Sequence, residues 1–520
     1  MKLAIAVLLA VLTSPAPTDS ARLLLIPANV RSHVLFFARL GEQLAGVGHR
    51  THLLVPSNAD TPLVYENLTV DSFPVENDEA FSNRPEMSEV SIELALSRRS
   101  EVIKLPKLRS LIRKMLDEIS SDCTALLENV ELVKTISAAH YDFAVVDPMS
   151  IRCYLLPYSL GIPYASFSIN IFQLLYRVPS LPSMVPAYML NDNAMTFADR
   201  LISFVHEFAL LTFVPPISAE CVQKYAPDKP LIDERELYRN SALWLYLDDI
   251  AVGHPRPTMP NTVAIGDIMA RPGNLLPPNL QTFLDEARDG AVVVSFGSFF
   301  DFIPENIARK FCSAFRSIGK LRVVWKSKVP DFCQKTENIE ILSWIPQNDI
   351  LAHPNTKVFI THGGVNSLIE SVYHAKPVIV FPISNDQPNN AANAASKGYG
   401  IKMDLSSFTS DELAENINRT IASGSSFQVK AVLFSAILRD KPEKPAERVS
   451  FLIEHVIKHG DQHLRTGAYS LSLFQFIMFD IFAFITAAVV FLLVAVAMIS
   501  IYVNKTCCRF CRRLRKHKQV

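Results

Sequence analysis

Residues 358–387, VFITHGGVNSLIESVYHAKPVIVFPISNDQ, constrain the fold more than any other stretch of this 520-residue chain. The apolar run Val358-Phe359-Ile360 reads as a short parallel strand. It stops at Thr361-His362-Gly363-Gly364, where a helix pattern begins and runs through Ile369 to Tyr373. A strand that feeds a helix through glycines presents free backbone N–H groups and a positive dipole end, which is where a phosphate binds. A second run, Val378 to Phe381, ends at Pro382, and Asn385-Asp386-Gln387 opens the next helix. Both polar clusters fall at the carboxyl ends of strands, the edge where open α/β sheets bind ligands.

The same alternation recurs on both sides of that stretch. Arg22 to Pro27 reads as a first strand, Ser32 to Leu44 as a helix and Thr51 to Pro56 as a second strand, which makes a βαβ start. Phe143 to Val146 is another buried strand, ending at Asp147-Pro148. Between them, Glu86 to Val130 is helical and reads as an insertion. Ile171 to Phe213 is rich in Leu, Phe, Pro and Met and suits a core, an acceptor pocket wall or a membrane-interface contact. Met259 to Pro278 carries prolines and glycines without periodicity and reads as a linker. After it come strand Ala291–Ser295, helix Glu305–Ser317, and strands Arg322–Trp325 and Ile339–Leu342. Repeated βα units in two blocks argue for two parallel-sheet domains. The boundaries expected are 21–265 and 266–480. Gly46-Val47-Gly48 follows a helix and lacks a third glycine, so it is no dinucleotide fingerprint.

The ends of the chain have their own character. Leu3 to Leu12 is apolar behind Met1-Lys2, which predicts a cleaved signal peptide over 1–20. Ile481 to Val503 has no charge over 23 residues and spans roughly 34 Å as a helix, enough for a hydrocarbon core of about 30 Å. Residues 504–520 hold seven Lys or Arg and no acid. The positive-inside rule puts that tail in the cytosol and everything before the span in the lumen. The basic cluster is a tail and not a face of a folded domain, so nucleic acid is not an expected partner. The eight cysteines show no metal-ligand spacing, and the five before the span read as buried thiols without a disulfide framework. Asn67 and Asn418 head glycosylation sequons.

Trp344-Ile345-Pro346-Gln347, His362-Gly363-Gly364, Asn366-Ser367, Glu370, Pro377, Pro382 and Asp386-Gln387 together resemble the signature of the UDP-glycosyltransferases, the family that includes the UDP-glucuronosyltransferases. The resemblance extends from about Arg22 to the basic tail. It implies two Rossmann-like domains facing across a cleft (the GT-B type of α/β fold), with a C-terminal transmembrane helix. The amphipathic segment Asp440 to Ser470 would return to the first domain. The first domain would hold a small lipophilic acceptor and the second the UDP-sugar. By the same resemblance Trp344 stacks on uracil and Gln347 meets the base or ribose. His362 and Gly363 lie at the diphosphate, Asn366 and Ser367 touch a phosphate, Glu370 accepts from the ribose, and Asp386 and Gln387 bind the sugar. Ser298, after the strand Ala291–Ser295, can reach a phosphate or be a plain turn residue. Lys516 and Lys518 near the end resemble an endoplasmic-reticulum retrieval signal or are plain stop-transfer charges; the first implies a single-pass type I protein of that membrane.

Glycosyl transfer to an alcohol needs a base for the acceptor hydroxyl, stabilisation of the leaving diphosphate, and exclusion of water. His33 opens a helix just after the first strand, and a helix amino end disfavours imidazolium. Alone it reads as a capping or core histidine; its place matches the family's catalytic histidine. Asp147 ends a strand on the same sheet edge and reads either as a helix cap before Pro148 or as the carboxylate that orients His33. The resemblance favours the second. Asp142 precedes that strand and belongs at its other end. The scheme requires no metal and no cofactor beyond the UDP-sugar co-substrate. Asp248-Asp249 reads as solvated surface. The expected reaction is inverting transfer of a hexosyl or glucuronosyl group to a hydroxyl of a small lipophile. The alternative is a non-catalytic membrane protein that binds nucleotide sugar or lipophile and regulates a transferase. Homo- and hetero-oligomers are both compatible with the chain.

Overall fold

The computed structural model describes residues 20–59, 67–80, 84–96, 101–169, 177–178, 196–210, 219–297, 303–327, 333 and 337–517. Strand β1 (Arg22–Ile26) is RLLLI, apolar on both faces, as a strand covered on both sides by helices must be. It pairs in parallel with β2 (Arg50–Pro56) on one side and β4 (Phe143–Val146) on the other. Adding β3 (Leu68–Phe73), β5 (Tyr164–Ser168), β6 (Leu243–Tyr246) and β7 (Thr262–Ala264) gives a seven-stranded sheet of order β3-β2-β1-β4-β5-β6-β7. All of its pairings are parallel.

The second sheet repeats this plan with six strands. β8 (Ala291–Ser295), β9 (Arg322–Lys326), β10 (Ile339–Leu342), β11 (Thr356–Thr361), β12 (Val378–Val380) and β13 (Gly400–Lys402) lie in the order β10-β9-β8-β11-β12-β13, again all parallel. In both sheets the order reverses beside the first strand of the block. That reversal opens a crevice at the carboxyl edge, because crossovers leave to opposite faces on its two sides. An aromatic cluster fixes one face of the second sheet. Phe311, from the helix Glu305–Ser317, lies 5.6 Å from Phe296, 5.9 Å from Trp325, 5.2 Å from Phe381 and 5.0 Å from Phe408, ring to ring. Burying one such side chain contributes about 1.5–3 kcal/mol.

Both sheets lie in one compact unit that runs up to Leu464. The segment 259–278, expected as linker alone, contains β7, whose three residues pair with β6. Past β7 the chain is clamped by charge: Arg271 holds Asp349 through two N–H groups at 2.6 and 3.0 Å. Lys441 bridges Asp249 at 2.9 Å and Asp267 at 2.7 Å. The reading of Asp248-Asp249 as solvated surface is therefore corrected. Asp249 is engaged by Lys441, and Asp248 faces Arg256 at 3.6 Å in a setting that pushes its carboxyl up to about 6, chiefly by burial. The helix Pro445–His459 packs back on the first sheet's side, where His49 Nε2 meets Ser450 Oγ at 2.7 Å.

The cysteine expectation also fails. Cys123 joins Cys153, and Cys312 joins Cys333, in two disulfides within the first unit. The partners are 30 and 21 residues apart in sequence and meet only after crossovers bring their elements together, so spacing could not have shown them. Cys221 stays a thiol. Asn67 and Asn418 are both exposed.

The second unit, Arg465–Val520, is dominated by the helix Phe479–His517. Its segment Phe479–Arg509 is long and apolar enough to cross a membrane. Residues 1–19 of the expected signal peptide, and most of 171–195, lie outside the described residues. Within the apolar region that reads as core, pocket wall or interface, the helix Phe197–Leu210 leaves Phe197, Leu201, Ile202, Phe204 and Val205 exposed.

Candidate active site

His33 is the third residue of the helix Arg31–Gly46, which starts five residues after β1 ends. Asp147 directly follows β4, the neighbour of β1, and its N–H bonds to Ile26 O at 3.0 Å. Adjacent parallel strands thus deliver both side chains to one edge. His33 Nδ1 lies 2.5 Å from Asp147 Oδ2, with both residues buried. Asp147 Oδ1 accepts from the Met149 N–H at 2.9 Å, which fixes the carboxylate plane. With the Asp147 carboxylate as acceptor, Nδ1 is the donor, and Nε2 is the ring nitrogen turned away from it. Asp142, in contrast, accepts from the Arg22 N–H at 2.8 Å, at the amino end of β1.

The second sheet supplies its own edge. His362 follows β11, and its ring lies between two glycine backbones. A Cβ built on Gly297 would sit 2.7 Å from its Cε1, and one on Gly364 would sit 2.7 Å from its Nε2. Gly297 also has φ +80°, a conformation that L side chains rarely adopt. Burial, assisted by the charge of Lys326, drives the His362 pKa down to about 3, so the imidazole is neutral. Gly363 has φ +87°, and a Cβ there would meet Val380 Cγ1 at 2.6 Å. The helix Val365–Tyr373 then begins without a side-chain cap, leaving its first N–H groups open. Asn366 and Ser367 occupy its first turn, and Asn366 Oδ1 is buried with no hydrogen-bond partner in the protein.

One turn further on, Glu370 accepts from Gln347 Nε2 at 2.6 Å, and the same amide lies 3.3 Å from Ser367 Oγ. Burial pushes the Glu370 carboxyl up to about 7, against the opposing effect of Gln347. Trp344 is half exposed, 50% of its surface being open. Asp386 accepts from Asn390 Nδ2 at 2.6 Å, and that amide also reaches Gly363 O at 2.9 Å. Burial raises the Asp386 carboxyl. Gln387 spends its Oε1 on the N–H groups of Ile383 and Ser384, at 2.8 and 3.0 Å, so only its Nε2 is left for another partner. Ser298 lies outside the described residues.

Two contacts join the two edges. The Arg31 guanidinium stacks 4.2 Å from the centre of the Trp344 ring. His254 Nε2 meets Asn389 Oδ1 at 3.1 Å. His33, Asp147 and the described signature residues therefore share one cleft. Among the described residues no three metal-ligating side chains converge.

Two residues of this cleft escape sequence reasoning. Lys326 ends β9 at the same edge; it is buried, donates to Gly297 O at 2.6 Å and lies 5.3 Å from the Trp344 ring centre. A charge closing the buried run Val323-Val324-Trp325 was the available signal. Asn390, one turn beyond Asp386, ties that carboxylate to the glycine turn, and nothing but helical spacing points to it.

The chain resembles known proteins in sequence and in fold. The chain is similar to the rat (Rattus norvegicus) 2-hydroxyacylsphingosine 1-beta-galactosyltransferase, 28% identical over 513 residues, covering 94% of this chain and 88% of that protein. It is 32% identical over 415 residues to the rabbit (Oryctolagus cuniculus) UDP-glucuronosyltransferase 2C1, covering 76% of this chain and 80% of that protein. Among solved structures, Phytolacca americana UGT2 complexed with UDP-2fluoro-glucose and pterostilbene shares the fold. The TM-score is 0.57 at 15% identity, over 85% of this chain and all of that one. The family described as UDP-glucoronosyl and UDP-glucosyl transferase matches residues 21–519, and the chain belongs to it.

Proposed function

We propose that this UDP-sugar glycosyltransferase moves a hexosyl or glucuronosyl group to a hydroxyl of a small lipophilic acceptor, with inversion at the anomeric carbon. The observation that carries the reading is the buried His33–Asp147 pair, 2.5 Å apart, in the cleft that also holds the signature residues. His33 Nε2 takes the acceptor proton as the oxygen forms its bond to the anomeric carbon. The bond from that carbon to the UDP oxygen breaks on the opposite face, and Asp147 stabilises the imidazolium. The developing charge on UDP meets the open amino end of the helix Val365–Tyr373 and the Lys326 ammonium. Neutral His362 donates a hydrogen bond there and carries no charge. Trp344 stacks on the base, Glu370 and Gln347 hold the ribose and base, and Asp386 holds the sugar hydroxyls.

The relatives' names include a galactosyltransferase of 2-hydroxyacylsphingosine and a glucuronosyltransferase, so a lipophilic alcohol and either a neutral or an acidic sugar fit this reading. The apolar helix and the basic tail behind it support an endoplasmic-reticulum membrane protein with its catalytic domains in the lumen and carrying glycans at Asn67 and Asn418. Its physiological role would be conjugation of hydrophobic metabolites or xenobiotics. The test is a donor panel on membranes carrying the chain, with one phenol and one steroid as acceptors, beside His33→Ala. The variant loses transfer and keeps its UDP affinity; transfer that survives in the variant removes His33 from the mechanism.

A further inference from the structure

The dyad depends on two loops from different crossovers, and one turn of the long helix Glu101–Glu128 touches both. On the His33 side, Asn29 lies in the loop between β1 and the histidine's helix. Its Nδ2 donates to Asp122 Oδ2 at 2.8 Å and to Asn58 Oδ1 at 2.9 Å. Asn58 in turn donates to Asn77 O at 2.9 Å, so the loop after β2 joins the same network. Asn29 and Asp122 are both buried. The turn Ala28–Val30 leads straight into the first helical hydrogen bonds, His33 N to Val30 O at 2.8 Å. On the Asp147 side, the adjacent residue Cys123 is disulfide-bonded to Cys153. Thr124 Oγ1, the next residue, accepts from Arg152 at 3.0 Å. Those partners sit in the 3-10 turn Ile151–Tyr154, linked back to Asp147 through Ser150 N to Asp147 O at 2.9 Å.

We infer that Asp122-Cys123-Thr124 is a brace for the catalytic pair, and that Asp122 is a positioning residue acting on His33 through Asn29. This rests on the His33–Asp147 reading above. Three consecutive residues on one rigid helix grip both loops, so their spacing sets how His33 and Asp147 approach each other. A helix is a stiff ruler, while a buried hydrogen bond to a carboxylate is among the stronger side-chain contacts. The groups around Asp122 are consistent with this use. Burial raises its carboxyl to about 6, Asn29 opposes that, and Glu118 and Arg84, themselves paired at 2.9 Å, act in opposite directions. The carboxylate is thus ionised at neutral pH and holds Asn29 as an acceptor. Nothing in this contact requires a proton to move during turnover.

The test uses the full chain in detergent micelles, with kcat and UDP affinity measured for each variant. Asp122→Ala and Asn29→Ala each remove the same hydrogen bond from one end. Each lowers kcat about 10- to 100-fold with UDP affinity within about threefold of wild type, because small misplacements of a base are costly. The double variant is no worse than the poorer single, since both remove one interaction. Asp122→Asn keeps an acceptor oxygen for Asn29 and stays within about threefold of wild type, which a residue working through its charge would not. If Asp122→Ala does not fold, Asn29→Ala against wild type reads the same contact. A kcat within about twofold of wild type in Asn29→Ala, or losses that multiply in the double variant, overturns the brace. A wild type whose transfer is indifferent to His33→Ala sinks the dyad reading itself. One silenced by His33→Ala but indifferent to Asn29→Ala sinks the brace alone.

Discussion

Replacing Lys326 by Gln isolates the fixed charge of the donor edge. The amide can still donate to Gly297 O, which Lys326 now does at 2.6 Å, so the glycine turn keeps its anchor and only the charge goes. The ammonium is buried and stands beside the neutral His362, whose own charge is suppressed, so under the proposed function the positive end of a diphosphate contact falls to Lys326 and the helix dipole. Two unit charges about 4 Å apart attract by about 4 kcal/mol at an effective dielectric of about 20. Dehydration of the phosphate returns part of that, and hydrogen bonds to charged groups are worth about 1.5–3 kcal/mol net. The expected loss in UDP affinity is therefore about 10- to 100-fold. Uridine, which has no phosphate, should bind as before. Titration calorimetry on the detergent-solubilised chain with both ligands decides it. The reasoning is refuted if UDP and uridine weaken together, or if neither does.

Other outcomes follow from groups already placed. The Glu370 carboxyl is raised from 4.5 to about 7, so its contribution favours the fold below 4.5 and is lost as pH climbs through 7. Glu370→Gln has no such titration. Its melting temperature should gain on wild type across that window, by the equivalent of about 3 kcal/mol in the unliganded protein. A gap that does not change with pH counts against it. Gly297→Ala puts a Cβ 2.7 Å from the His362 ring at φ +80°, and should cost about 1–2 kcal/mol in backbone strain alone. UDP affinity should fall with it, as His362 is pushed from its slot; a variant with wild-type melting and binding would show the turn to be slack.

Much of this architecture is legible in the residues because buried parallel strands advertise themselves. Phe143–Val146 is wholly apolar, Ala291–Ser295 is apolar up to its closing serine, and Ile339–Leu342 is broken only by Glu340; the structure ends each where the pattern does. The strand LTVDSF at 68–73 exposes half its length, and Thr262–Ala264 is three residues inside a proline-rich stretch. Neither has a signal of its own; each is a strand because a neighbour offers a free edge. The same distinction holds in the cleft. His33, Asp147 and the signature residues sit at strand ends, where sequence order predicts the sheet edge. Lys326 becomes informative only when Gly297 and His362 close around it, and Arg31 only when Trp344 arrives from more than three hundred residues away. The cysteine pairs meet only through such long-range packing, and the burial of Asp248 comes from Gly253 and Arg256 folding over it.

The hydrogen bond between His49 and Ser450 joins positions 401 residues apart, and it fastens the last helix of the catalytic unit, Pro445–His459, beside the helix that carries His33. Synthesis therefore delivers His33 early and the partner that fastens its helix only some four hundred residues later. That helix goes without this fastening until Pro445–His459 has been made.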